Sequence, residues 1–249
     1  MRWLLGFSAT VDPLAEKYYS TSPYAYCGGN PVNRTDPDGR WIKGTDGNAV
    51  TYNIKSGWSP NATTDAKRIG NSMMYTHKGQ SQLNKMFDAK HPITLEMSDK
   101  TITGLDKKGN KTYQLGNTNN AYDDNCKVSS SVVTVYEGSI NEYIKDNKNS
   151  KDPEAQSYET NAKDNDQRIG AVAGHESVHA TDADNQHLKY ENDKDNDNND
   201  VESAPVQTED LILDQTGFVN SGSAEMVPLP NPLSSPLNAP QPGPLKINP

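Results

Sequence analysis

The segment Gly174-His175-Glu176-Ser177-Val178-His179 constrains the fold most, because it sets two histidines four residues apart within an apolar run. On a helix this spacing puts both imidazoles on one face, one turn from each other. A helix is predicted over residues 167–181, with Asp164 or Asp166 as its N-cap. The small and apolar neighbours of the motif are Ala171, Val172, Ala173, Val178 and Ala180. The chain is therefore expected to bury a helix that carries two titratable rings.

Two imidazoles one helical turn apart suit a zinc ion, which binds histidine nitrogen at ~2.0–2.1 Å. His175 and His179 are therefore predicted as metal ligands. Glu176 stands beside the pair, where its carboxylate can take a proton from a water that the metal activates, so it is the predicted catalytic residue. The alternative is a pair of solvated histidines on a charged helix. The apolar neighbours argue against it, because buried unpaired imidazoles are costly.

A catalytic zinc site keeps three protein ligands and one open position, so a third ligand must follow downstream. The longer pattern HExxHxxGxxH fails, because Asp182 and Asn185 stand where its Gly and last His belong. That leaves a glutamate on a following helix, the gluzincin arrangement. Glu202 is favoured, since a Glu at a helix start followed by Pro205 resembles the third-ligand segment of HExxH peptidases. Glu209 is the alternative third ligand, or one of the two supports a ligand histidine.

Further residues near the motif have open roles. Asp182 either orients a ligand histidine or simply ends the helix. Three residues are candidates to stabilise the oxyanion of a tetrahedral intermediate, without a ranking among them: His91, His187 and Tyr190. The run Asp193-x-Asp195-x-Asp197 suggests a calcium loop, but Asn198 and Ala204 stand where Gly and Glu are needed. A solvated acidic loop over residues 191–200 is favoured.

Composition excludes several functional classes. The net charge of −9 argues against a protein that binds nucleic-acid backbone, which needs a basic face. No apolar run approaches the ~18 residues of a membrane span. The opening apolar stretch is too short for a signal peptide, so none is predicted in this chain. Two cysteines, Cys27 and Cys126, do not make a disulfide framework.

The organisation predicted along the chain is an α+β fold between two poorly packed ends. Residues 1–40 are rich in turn dipeptides, residues 41–227 form the domain with a small twisted sheet and the HExxH helix, and residues 228–249 hold 8 of the 16 prolines. Hydrophobic residues are only 32% of the chain, which fits long irregular ends. A second helix is predicted over residues 201–215, with Pro205 in its first turn and Gly217 ending it.

The most β-prone run is Val132-Val133-Thr134-Val135-Tyr136. One prediction makes it a sheet edge, with which an extended peptide substrate pairs beside the metal, as in zinc peptidases. The alternative is an ordinary buried strand.

Residues 10–40 contain Ser22-Pro23-Tyr24-Ala25-Tyr26, then Asn30-Pro31, then Asp36-Pro37-Asp38-Gly39. This segment closely resembles the end of the Rhs repeat-associated core. In that family a YD-repeat β-shell encloses a variable C-terminal toxin and releases it after a Pro-x4-Asp-Pro-x-Gly motif, which Pro31 and residues 36–39 match; Arg40 stands where Leu is usual. The YD repeats are not in this chain, so it is expected to be the end of a longer protein or a displaced cassette.

The resemblance implies that the domain from Trp41 onward is a toxin, and many such toxins are HExxH metallopeptidases. Its expected partners are a protein or peptide substrate, a cognate immunity protein and the Rhs shell. Its expected location is outside the producing cell, delivered into target cells as part of a larger exported protein. The sequence thus predicts a zincin-like effector that hydrolyses peptide bonds with Zn²⁺. The competing hypothesis is an inactive or structural cassette, with a structural metal or none.

Overall fold

The computed structural model of this chain describes residues 41–53, 55–195 and 200–222. The predicted Rhs-like segment (1–40), Cys27 and the proline-rich tail (228–249) lie outside the described residues. The described part has mixed α+β architecture, as the sequence predicts, with seven α-helices, one π-helical turn and three small sheets. Among the described helices, none is both long and apolar enough to cross a membrane.

The strands are short and lie mostly in the first half of the domain. They are β1 Trp41–Ile42, β2 Tyr52–Asn53, β3 Gly57–Trp58, β4 Pro92–Ser98, β5 Thr103–Leu105, β6 Lys111–Tyr113, β7 Gly116–Tyr122 and β8 Val128–Tyr136. The helices are α1 Thr64–Met73, α2 His77–Phe87, α3 Glu137–Asp146, α4 Pro153–Gln156, α5 Asn165–Thr181, α6 Ala183–Asp195 and α7 Ser203–Asn220, with a π-helical turn at Ser157–Asn161.

The main sheet has four strands in the order β1-β4-β8-β7. Strand β8 pairs parallel with β4 and antiparallel with β7, so it is an inner strand. Side chains of β8 alternate between the two faces, and Ser131, Val133 and Val135 are buried on one of them. The prediction that Val132–Tyr136 forms a sheet edge is therefore wrong, and the buried-strand alternative is correct. In the described sheet β7 is the edge strand beside β8.

Helix α5 is the centre of the domain and carries the HExxH motif. Asp164 caps it, since its Oδ1 accepts a hydrogen bond from the Gln167 N–H at 2.9 Å. The helix packs against α1, α2, α7 and the sheet, which explains why its residues are small and apolar around much of its circumference. At Gly174 an added Cβ would lie 2.1 Å from the Ile212 Cδ1 atom, so the end of the Ile212 side chain from α7 occupies the space that a side chain there would need.

The helices after α5 differ in length from the prediction. Helix α6 extends through Asp195 into the predicted acidic loop, and the side chains of Asp193, Asp195 and Asp197 lie outside the described residues. Helix α7 does contain Pro205 in its first turn. The prediction that Gly217 ends it is wrong: the helix continues to Asn220, because Gly217 packs against the Asn161 side chain and does not take up a left-handed cap conformation.

Candidate metal centre

Two histidines of α5 converge on one carboxylate from the start of α7. The Nε2 atom of His175 lies 3.1 Å from Glu202 Oε2, and the Nε2 atom of His179 lies 3.5 Å from the same oxygen. The ligand atoms of these three residues all lie within 4.8 Å of one another, so the group can hold a metal ion. His179 is buried whereas the Glu202 side chain is 59% exposed, so one side of the group opens to solvent.

The hydrogen bonds of the other ring nitrogens fit a metal at this place. His175 Nδ1 lies 2.7 Å from Glu209 Oε2, and His179 Nδ1 lies 2.8 Å from Asn185 Oδ1. Carboxylate and amide oxygens only accept, so both Nδ1 atoms carry a hydrogen and donate. Metal-ligating histidines are oriented in this way, with the second nitrogen left for the ion.

The charges at the group also favour a bound cation. Burial disfavours a charged ring at His175, but the hydrogen bonds that the ring donates to Glu202 and Glu209 outweigh it and raise the pKa of His175 to about 10. The same contacts, from His175 and His179, hold the pKa of Glu202 well below its usual range. A positive charge is therefore stabilised among these side chains.

Glu209, the alternative third ligand, lies on the opposite side of the His175 ring from Glu202. Its Oε2 accepts from His175 Nδ1, and its Oε1 accepts from the hydroxyl of Tyr158. Tyr158 is fully buried on the π-helical turn, a geometry that recurs at functional sites. Both Glu209 oxygens are thus committed to positioning. Sequence analysis missed Tyr158, since no local pattern links it to a residue 51 positions later.

Asn185 plays the corresponding part for His179. Its Nδ2 donates to the Val201 carbonyl at 2.6 Å, which fixes its Oδ1 toward His179. Asp182, which lies between α5 and α6, accepts from the Asn185 N–H at 2.9 Å, so it acts at a helix end and positions His179 only through Asn185. The pattern Asp-x-x-Asn after the motif is a helix-start signal that could have pointed to Asn185.

Glu176, the predicted catalytic residue, is buried beneath the edge strand. The Thr118 hydroxyl lies 2.8 Å from Glu176 Oε2 and also 2.8 Å from the Glu176 carbonyl oxygen. An added Cβ at Gly116 would lie 2.6 Å from Glu176 Cγ, so β7 reaches the motif only because this residue is glycine. Burial raises the pKa of the Glu176 carboxyl.

The three residues predicted as oxyanion candidates lie elsewhere. His91 is buried under the end of α5, where its Nε2 lies 2.9 Å from Ser131 Oγ. A hydrogen bond between His91 and the Ala180 backbone helps to hold the end of α5 on the sheet. The His187 side chain is 70% exposed, and the Tyr190 ring packs on Tyr122. None of the three lines the cleft described next.

A cleft of about 800 Å³ lies over the candidate metal group. Its floor contains His175, Glu176 and His179, and one wall is the start of β7, from Gly116 to Thr118. The opposite wall, from α4 and α7, carries carboxylates: Asp152, Glu154, Asp210 and Asp214.

Compared with protein-family models, curated proteins and solved structures, the chain matches none of them. A functional assignment therefore depends on the geometry of the site.

Proposed function

We propose that residues 41–227 form a zincin-like metallopeptidase, which hydrolyses peptide bonds with Zn²⁺ held by His175, His179 and Glu202. The observation that carries the proposal is the convergence of both Nε2 atoms on Glu202 Oε2, in a cleft that the buried Glu176 also lines. Two nitrogens and one carboxylate oxygen are the ligand set of a large class of catalytic zinc sites.

When bound, Zn²⁺ lowers the pKa of a water towards ~7 and polarises the scissile carbonyl. Glu176 accepts the proton of the attacking water and then donates it to the leaving amine. Thr118 binds Oε2 of Glu176, so Oε1 is the oxygen available for that proton. The burial that raises the pKa of Glu176 suits a group that must both accept and release a proton.

Strand β7 supports a peptide as the substrate. It has β8 on one side only among the described strands, and its residues from Gly116 to Thr118 line the cleft. An extended peptide can add to such an edge through main-chain hydrogen bonds, which orients a scissile bond without requiring one sequence.

The ligand count favours a catalytic over a structural metal. A structural zinc site is closed by four protein ligands. The group found among the described residues has three members, and Glu202 is largely exposed, which leaves room for a water or substrate oxygen. If the domain were an inactive cassette, the open side of the metal group would have no role in catalysis.

The proposed biological setting follows from the resemblance of residues 10–40 to the Rhs core. In this setting the domain is an effector toxin, delivered into target cells as part of a larger exported protein and neutralised by a cognate immunity protein. Its target is a protein or peptide of the recipient cell.

The test is Glu176→Gln in the full chain, compared with Glu96→Gln on the exposed face of β4. We expect about one zinc per chain in the parent and both variants by elemental analysis. We also expect Glu176→Gln to cleave a peptide library at least about 10³-fold more slowly, and to lose toxicity in bacteria, because the proton acceptor is gone. Unchanged cleavage by Glu176→Gln, or a folded parent without zinc, would contradict the proposal.

A further inference from the structure

Among the described residues that line the cleft over the candidate metal group, there is a single lysine or arginine. Seven of the residues that line it carry carboxylates, and Lys189 of α6 is the one strongly basic residue among them. A lysine in such surroundings ordinarily forms an ion pair with one of the carboxylates. The contacts of an ammonium without such an ion pair therefore indicate which ligand group it could bind.

Lys189 is held by a neutral group instead. Its Nζ donates to the Thr118 carbonyl at 2.7 Å, and within the described part of the chain it forms no salt bridge. An ammonium has three hydrogens, and this contact uses one. The half-buried side chain therefore keeps donors available on the cleft side of β7.

Thr118 contacts both this ammonium and Glu176, the proposed proton acceptor. Its carbonyl binds Lys189, while its hydroxyl lies 2.8 Å from Glu176 Oε2. One residue of the edge strand thus contacts both a cation and the proposed proton acceptor. The two charges are close enough for Lys189 to stabilise the ionised form of Glu176.

We propose that Lys189 binds the substrate oxygen that becomes negatively charged during hydrolysis, an inference that rests on the proposed function. As the water oxygen bonds to the carbonyl carbon, the carbonyl π electrons move to its oxygen, and the water proton passes to Glu176. Lys189 donates a hydrogen bond to that oxyanion and keeps all three of its protons. When the C–N bond breaks, the proton on Glu176 goes to the leaving nitrogen and the oxygen lone pair re-forms the carbonyl.

The test is Lys189→Met in the zinc-loaded full chain, assayed on a peptide that the parent cleaves. We expect kcat to fall by ~10²–10³, the usual loss for one oxyanion donor, with KM changed by less than about threefold. The matched control is Lys163→Met, because Lys163 Nζ also donates to a backbone carbonyl, that of Asn220 at 2.8 Å, but lies outside the cleft. Lys189→Arg, which keeps the charge, should recover part of kcat.

A second measurement uses binding instead of turnover. A peptide phosphonate, which is a tetrahedral anion, should bind zinc-loaded Lys189→Met about 10²-fold more weakly than it binds Lys163→Met, at equal zinc content. Equal phosphonate binding, an unchanged kcat, or a raised KM at unchanged kcat would overturn the role of Lys189 while leaving the peptidase intact. A parent that holds zinc but cleaves no peptide would instead overturn the proposed function, and this inference with it.

Discussion

The two histidines of the candidate metal group are held by different kinds of partner. The His175 flank consists of Glu209 and Tyr158, a carboxylate and the phenol that supports it. The His179 flank consists of Asn185 and Asp182, in which a neutral amide meets the ring. Each flank fixes the Nδ1 atom of its own histidine, but only the His175 flank places a negative charge beside the ring.

The flanks also differ in how far along the chain their partners lie. Asn185 follows His179 by 6 residues, so a helix end and a helix start suffice to place it. Glu209 follows His175 by 34 residues, and it arrives only because α7 packs on α5. We infer that the His179 flank is mostly local and needs one bond from farther along the chain, between Asn185 and the Val201 carbonyl, whereas the His175 flank depends on helix packing.

Gly174→Ala should break the His175 flank with the largest effect. The new Cβ would lie 2.1 Å from the Ile212 Cδ1 atom, and Ile212 is buried, so its side chain must repack between α5 and α7, the helix that carries Glu209 and follows Glu202. We expect a loss of about 1–3 kcal/mol in the free energy of unfolding and about 10²-fold in zinc affinity. Thermal unfolding and a chelator-competition titration measure the two effects.

Ile212→Val is the compensating change, because valine lacks the Cδ1 atom that the new Cβ would meet. The double variant should recover most of the zinc affinity. A double variant as weak as Gly174→Ala alone would show that the close packing of α7 is not what holds the flank.

Exchanging the two partner types should move zinc affinity in opposite directions. Glu209→Gln keeps one acceptor oxygen for His175 Nδ1 but removes the charge and puts an NH₂ group opposite the Tyr158 hydroxyl, so we expect about a tenfold loss. Asn185→Asp adds a charge beside His179, so we expect about a fivefold gain, together with lower thermal stability because the bond to Val201 is lost. Competition titrations of both variants test the comparison, and losses of equal size in both would show that charge does not distinguish the flanks.

Tyr158→Phe should have the smallest effect. It removes the hydroxyl that donates to Glu209 without opening space in the core, so we expect about a threefold loss of zinc affinity. Tyr143→Phe is the control, because its ring packs on that of Tyr158 with centroids 5.6 Å apart. If both variants lose the same affinity, the loss does not come from the hydrogen bond between Tyr158 and Glu209.

Local patterns predict the parts of this protein that depend on neighbouring residues. The α5 helix, its Asp164 cap and the shared face of His175 and His179 follow from spacing and capping chemistry. The strand β8 follows from its β-branched residues, but its inner position does not, because strand order is decided by pairing with distant segments.

The residues that sequence analysis missed share one property. Thr118, Tyr158 and Lys189 each reach the site through a contact with a residue more than 50 positions away. No periodicity or cap signal encodes such contacts. The same reason explains why Gly217 does not end α7. It packs on Asn161, a residue far from it in the sequence, and the helix continues past it.

The contact between Thr118 and Glu176 spans 58 residues, and the β4–β8 pairing is parallel. Non-local pairings of this kind raise contact order and slow folding, because loop-closure entropy is lost before the contacts compensate for it. The donors of the site therefore come together late in folding. A chain still being synthesised carries the HExxH motif without its assembled surroundings, so any activity of the site would begin only after the whole domain has folded.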